Sequence, residues 1–398
     1  MPIEPYRRLF ALPGVRPLVV VTLLARTPIA AGPMVLNLHV LQDLGQSYTW
    51  AAVVSVAVTI GLAVGSPLLG RLVDSVGLRP VILVTTVIEG VFWFTSPWLG
   101  LTGLLATAVF GGLFALPVHS ISRQAMAALV PEAQRRTAFS LDSMVVEAAF
   151  MVGPALGVVV VTSLSGHVAM IGVGSCIVLA GIGLYLLNPA IRSKTSEVAT
   201  GPRPPRSSWL TTRMVAVLAA SSGAVLVLSG SDLAIVGVLR EAGQLPWTSA
   251  VIPIWCLASL VGGFLYGAMR RSYPSLVLMG LLGLCTIPVA FASQWWLLAL
   301  MLIPAGLLCA PTIAATSEEV SKLTPESVRG EALGLHGSAL TAGSALGAPL
   351  AGLAIDLAGP PWGFVAVGGA GLLSAIVAWT LFRASANRAA AKAEAAAA

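Results

Sequence analysis

The sequence predicts an all-α membrane protein, with twelve transmembrane helices in two pseudo-symmetric six-helix bundles. Three observations carry this: the number and length of its apolar runs, the one-sided placement of its basic residues, and an internal repeat. The 398 residues are 57% hydrophobic and only 10% charged, with a mean hydropathy of +0.91, whereas a soluble domain carries about 25% charged residues. At ~20 apolar residues per span plus a short connection, this length holds roughly twelve spans and leaves no room for a soluble domain of ordinary size. A cytosolic enzyme, a secreted module and a nucleic-acid-binding domain are excluded. The net charge of +6 therefore has to be read by position.

Taken in order, apolar runs broken by Gly, Pro or charge lie near 17–42, 49–71, 79–97, 100–123, 136–163 and 167–187. A second set follows near 213–239, 247–269, 274–293, 295–318, 328–355 and 362–382. The expected domains are an N-terminal six-helix bundle over 1–187 and a C-terminal one over 213–383. Between them, 188–212 mixes Pro189, Pro202, Pro204 and Pro205 with Arg192, Lys194, Arg203 and Arg206, the composition of a solvated linker. The Ala-rich stretch 384–398 reads as a helical tail without a core of its own. Arg7, Arg8 and Arg16 precede the first run, and no small-residue cleavage site stands at signal-peptide distance, so the first span is expected to be retained. Cys176, Cys256, Cys285 and Cys309 each sit inside an apolar run without metal-ligand or disulfide spacing, and read as small hydrophobes.

Of the 22 basic residues, 20 fall where odd-numbered spans begin or even-numbered spans end; the exceptions are Arg26, inside the first span, and Arg240. Lys and Arg stay on the cytoplasmic side. Both termini and the linker are therefore expected in the cytoplasm, with the chain in the plasma (inner) membrane. The same asymmetry makes the lipid bilayer, not a polyanion, the partner of the charge.

The repeat is read at an offset of 197, where Trp50 matches Trp247, Gly65 matches Gly262, Gly70 matches Gly267 and Trp98 matches Trp295. At 194 to 195, Pro117 matches Pro311, Arg135 matches Arg329, and Pro154 with Gly157 matches Pro349 with Gly352. Six spans duplicated keep one orientation, which implies a pseudo-twofold axis along the membrane normal, with the binding site where the halves face each other.

Two local motifs follow from this frame. In the stretch from Gly70 to Arg79, Gly70 lets backbones approach, Gly77 permits a turn at positive φ, and Asp74 is an anion that a neighbouring helix N-terminus or Arg can receive. In the fifth span, Gly153, Pro154 and Gly157 interrupt the hydrogen-bond ladder and present a small face for close packing. The first motif resembles the cytoplasmic signature of the major facilitator superfamily, with Ser75 and Leu78 where that signature usually has basic residues. The second, Gly153-Pro154-Ala155-Leu156-Gly157, resembles the core of the superfamily's antiporter signature, with Val158 in place of its last glycine. The resemblance implies the major facilitator fold, a gating latch at Asp74 with Arg79, and an export bias from the fifth span. It also implies that the fifth span lines the central cavity while the third is peripheral.

Charges inside spans are costly in hydrocarbon and mark pathways or ion pairs. At ~1.5 Å per residue, Arg26, Glu89 and Glu147 lie ~14, ~15 and ~16 Å from the expected cytoplasmic ends, near the midplane of a core ~30 Å thick. Glu147 is the expected proton carrier, with Arg26 as its partner; burial favours the neutral acid and Arg26 the carboxylate. An Arg26–Glu89 or Arg26–Glu147 pair that merely holds the bundle is the structural alternative. Asp232, near the outer mouth, and His336, in the eleventh span, are secondary candidates. Asp142, His119 and Arg123 are expected in a cytoplasmic vestibule.

The chain has no Gly-x-x-x-x-Gly-Lys phosphate loop, no metal-ligand cluster and no Ser/His/Asp constellation. No cofactor and no metal are expected, and the chain is not expected to be an enzyme. The expected function is secondary active transport by a monomer, namely proton-coupled efflux of a small amphipathic molecule by alternating access. Proton-coupled uptake of a metabolite is the nearest alternative, and a non-transporting membrane scaffold the more distant one.

Overall fold

The computed structural model describes residues 3–192, 204–269 and 271–397, and every regular element among them is helical. Eleven of these helices are long and apolar enough to cross a membrane, from Val15–Asp43, the first span, to Pro361–Arg383, the last. The ninth, Ser275–Phe291, is shorter: 12 α-helical residues run into a 3-10 segment of five that contains Pro288. At ~1.5 Å and ~2.0 Å per residue these still cover ~28 Å, enough for the hydrocarbon core. Apolar side chains stand bare on the spans, Leu24 at 63%, Leu186 at 71% and Leu357 at 78% exposure, as on a surface solvated by lipid. The protein is a multi-pass membrane protein.

The chain forms two compact units, Met1–Gly201 with Glu326–Ser338, and Pro202–Pro325 with Ala339–Ala398. The start of the eleventh span, Glu326–Ala358, thus belongs by its contacts with the first unit. In that unit the first span packs on the fifth and sixth, the second on the fourth, and the third on the sixth, around Val35, Phe92, Trp93 and Met170. In the second unit the seventh span packs on the twelfth and the eighth on the tenth, around Trp255, Met279, Leu302 and Phe364. A short helix not anticipated from the sequence, Glu4–Ala11, precedes the first span and buries Tyr6 and Leu9. Residues 193–203 of the expected linker lie outside the described residues. The rest of that stretch includes a single turn, Arg206–Trp209, with Trp209 buried. The helix of the last span continues to Ala397.

The repeat reappears in the packing. Proline has no N–H, so the carbonyl four residues before it loses its helix donor, and a glycine of the neighbouring span fills that place. A Cβ on Gly65 would lie 2.1 Å from the Leu113 carbonyl oxygen, and one on Gly262 would lie 2.0 Å from that of Leu307; these carbonyls stand four residues before Pro117 and Pro311. The halves then diverge. The fourth span is broken between Leu101–Leu113 and Val118–Leu129, whereas the tenth runs unbroken over Trp295–Leu323 through Pro311. Glu89 accounts for the difference, because its Oε2 accepts the Leu116 N–H at 2.7 Å and so satisfies a donor that the break leaves without a helix partner. The matching position in the second half is Thr286, whose hydroxyl bonds Leu282 in its own helix and supplies no such acceptor.

Candidate functional site

The strongest concentration of buried charge lies in the first unit. Asp142, in the fifth span Glu132–Ser163, accepts from Arg26 Nη2 at 2.5 Å, from the Ser122 hydroxyl at 2.5 Å and from Arg123 Nε at 3.2 Å. A second Arg26 nitrogen reaches the Asp142 backbone carbonyl at 3.2 Å. Arg123 then extends to His336 Nδ1 at 2.9 Å. Since guanidinium only donates, this ring accepts through Nδ1. Arg26, Arg123, Asp142 and His336 are all buried. Together they join the first, fourth and fifth spans to the start of the eleventh. Two guanidinium groups share one carboxylate, which leaves one positive charge in excess among these four groups. An arrangement of this kind at membrane depth is expensive without a role.

Several sequence expectations change place. The carboxylate paired with Arg26 is Asp142, not Glu147 or Glu89, and Asp142 and Arg123 are fully buried instead of lining a vestibule. Glu147 stands five residues beyond Asp142 on the same helix, which turns its Cβ by roughly 140° and raises it by ~7.5 Å. It is half-buried. Glu89 is turned to the break in the fourth span, as described above. His336, a secondary candidate from the sequence, is part of the charged cluster, and His119 is half-buried one turn before Arg123. Asp232 is exposed and lies nine residues, ~14 Å, before the end of the seventh-span helix Thr212–Glu241.

At the Gly70–Arg79 stretch, Asp74 accepts the backbone N–H groups of Gly330 at 2.9 Å and Glu331 at 2.8 Å. These open the long helix Arg329–Ala358, so the carboxylate caps a positive helix end and satisfies donors that have no partner in their own helix. A Cβ on Gly70 would meet the Gly330 carbonyl oxygen at 2.1 Å, and only glycine admits that approach. Gly77 has φ +91° between the second and third spans. Arg192 donates to the Asp74 backbone carbonyl. Arg79 stands over the Tyr185 ring, 5.4 Å from its centroid, and so is engaged away from the Asp74 carboxylate. In the fifth span, a Cβ on Gly153 would lie 2.5 Å from the Thr27 carbonyl and one on Gly157 2.9 Å from Val35. The small face thus packs on the first span, while Pro154 stays within a continuous helix. The second unit repeats this contact through Gly343 and Gly347 against Ser222 and Leu226 of the seventh span.

Asp142 was the residue whose role the sequence reading missed, although a signal existed. The fourth and fifth spans form a hairpin about the turn Glu132–Gln134, and Arg123 and Asp142 lie 10 and 9 residues from its middle, which places them at similar depth. The reach of Arg26 from the first span had no such signal, since its length lets it bridge residues at different depths.

Comparison with known proteins agrees with this architecture. The family model described as Major Facilitator Superfamily matches residues 18–275 and 248–397. The multidrug efflux pump Tap of Mycolicibacterium fortuitum is 27% identical over 82% of this chain and 86% of its own. The protein of the same name from Mycobacterium tuberculosis (strain ATCC 25618 / H37Rv) is 25% identical over 78% and 79%. Among solved structures, a bacterial homologue of the iron transporter ferroportin in an outward-facing state superposes with a TM-score of 0.72 at 17% identity, covering 92% of this chain and 99% of that one. The human organic anion transporter MFSD10 gives 0.68 at 19% identity, over 92% and 99%.

Proposed function

Since the chain belongs to the Major Facilitator Superfamily and is a transporter, we propose that it expels a small amphipathic molecule from the cytoplasm in exchange for protons, by alternating access. The Arg26–Asp142–Arg123–His336 cluster is the observation that carries this reading. It concentrates charge where hydrocarbon penalises it, which marks a pathway through the protein. Glu147, half-buried on the same helix as Asp142, is the carboxyl we assign to the proton, with Arg26 acting through Asp142. The relatives named as multidrug efflux pumps support the direction of transport. Asp232, exposed on the seventh span, gives an amphipathic cation a point of attraction.

The test uses inverted vesicles with an imposed pH gradient and a fluorescent amphipathic cation. The wild-type chain should accumulate the cation against its gradient. Glu147→Gln should abolish uphill accumulation while binding persists. Glu89→Gln should keep coupling, because the amide still offers an oxygen to Leu116, whereas Glu89→Leu should lose about 1–3 kcal/mol of thermal stability through the unpaired N–H. Uphill transport by Glu147→Gln with an intact pH dependence would remove Glu147 from the role, and accumulation in the opposite sense would make the protein an importer.

We also assign both termini and the 188–212 linker to the cytoplasm, on the distribution of basic residues. A C-terminal reporter active only outside the cytoplasm would refute that orientation.

A further inference from the structure

At the end of the first span, the helix Val15–Leu38 widens into a π-helical turn, His39–Asp43. Such turns are rare and frequently accompany functional sites. This one places two potential metal ligands beside a third from the sixth span. His39 Nδ1 is 2.6 Å from Asp43 Oδ2, and His167 Nδ1 is 3.6 Å from the same oxygen. One ligand atom from each of the three side chains lies within 4.8 Å of the others. The rings of His39 and His167 meet edge to face at 5.2 Å.

The surroundings are built around this approach. Residue 166 is glycine, and a Cβ there would lie 2.0 Å from Asp43 Oδ2, so the carboxylate reaches the start of the sixth span only because that side chain is missing. Ser165 caps the same helix by accepting the Val168 N–H, which fixes the backbone that carries His167. The His39 side chain is fully buried, and its Nε2 is without a hydrogen-bond partner. Asp43 is therefore the group that orients this ring. The side chains of Asp43 and His167 are 23% and 43% exposed, which leaves an entry path.

We propose that His39, Asp43 and His167 bind a divalent transition-metal ion of the zinc class. Two imidazoles and a carboxylate are ligands that Zn2+ accepts at about 2.0–2.2 Å, and tetrahedral coordination needs only one further ligand, which water supplies from the exposed side. Ligand atoms around such an ion stand roughly 3.3 Å apart by the same bond lengths. The separations of 2.6 and 3.6 Å to Asp43 Oδ2 bracket that value, and small side-chain movements suffice. The bound ion ties the end of the first span to the start of the sixth, inside one unit. No spacing in the sequence shows this site, because His167 comes from a helix more than a hundred residues away.

The experiment is metal titration of the full chain in detergent, freed of any polyhistidine tag. Zn2+ is measured calorimetrically, and Co2+ by its visible ligand-field absorption. The chain has four histidines, and His119 and His336 stand near Arg123, where a further cation is repelled. One equivalent of metal should bind. His167→Gln and Asp43→Asn should each weaken binding by at least about tenfold and remove the Co2+ absorption. Gly166→Ala should do the same by displacing Asp43. Since His167 is partly exposed, its variant keeps the wild-type elution profile. Zn2+ should raise the unfolding temperature of the wild type and not that of His167→Gln. Failure of the wild type to take up Co2+ or Zn2+ overturns the proposal, and so does equal binding by wild type and variants.

Discussion

Asp142→Asn is expected to be the most damaging single change in the chain. The substitution keeps the size of the side chain and some of its hydrogen bonds, but removes the only negative charge that Arg26 and Arg123 contact in the cluster. Breaking a buried pair from one side costs about 3–5 kcal/mol in soluble proteins, because the remaining charge is left without compensation. In a membrane the cost falls where water can enter. Thermal unfolding in detergent should show the loss, and transport should fall with it. A second variant separates charge from shape: adding Arg26→Gln to Asp142→Asn restores the original charge balance and should recover much of the lost stability. If the single variant unfolds like the wild type, or if the double variant is less stable than the single, charge balance is not what holds these spans together.

Asp74 is expected to act on the rate of the cycle and not on affinity. Its carboxylate holds the backbone N–H groups of Gly330 and Glu331 and so stabilises the arrangement in which the start of the eleventh span belongs to the first unit. A helix-capping carboxylate is worth about 1–2 kcal/mol. A transporter must return to each of its states once per turnover, and a destabilised state is visited less often. At 1.4 kcal/mol per factor of ten, Asp74→Asn should slow turnover by about an order of magnitude with half-saturation unchanged. Gly330→Ala should act in the same direction by a different route, since its Cβ would stand 2.5 Å from Asp74 Oδ1 and 2.5 Å from the Gly70 carbonyl. Unchanged turnover with weakened substrate affinity would instead place Asp74 in substrate contact.

The class of molecule was legible from the residues alone, because that class rests on properties summed along the chain. Apolar run length has to match the thickness of a bilayer, and this was legible for all twelve spans, including the ninth, whose 3-10 end makes up the length. The repeat was legible too. Its glycine and proline positions reappear as the Gly65–Leu113 and Gly262–Leu307 contacts, since a proline frees a carbonyl at a fixed distance along its own helix. Gly77 could be assigned its positive φ in advance because the requirement is local.

Which charges meet depends on how the helices pack. Depth along a helix is readable from residue number, but azimuth between helices is not, and long side chains join residues at unequal depths. Arg26 was therefore expected beside Glu147 and is found on Asp142, five residues away and on another face. Glu89 looked like a third member of that group, and its actual partner is a backbone N–H exposed by the break at Pro117. The His39–Asp43–His167 cluster depends on a widened helical turn and on a missing side chain at Gly166. Both effects appear only once separate helices are packed, because each is a contact between segments that are far apart in the chain.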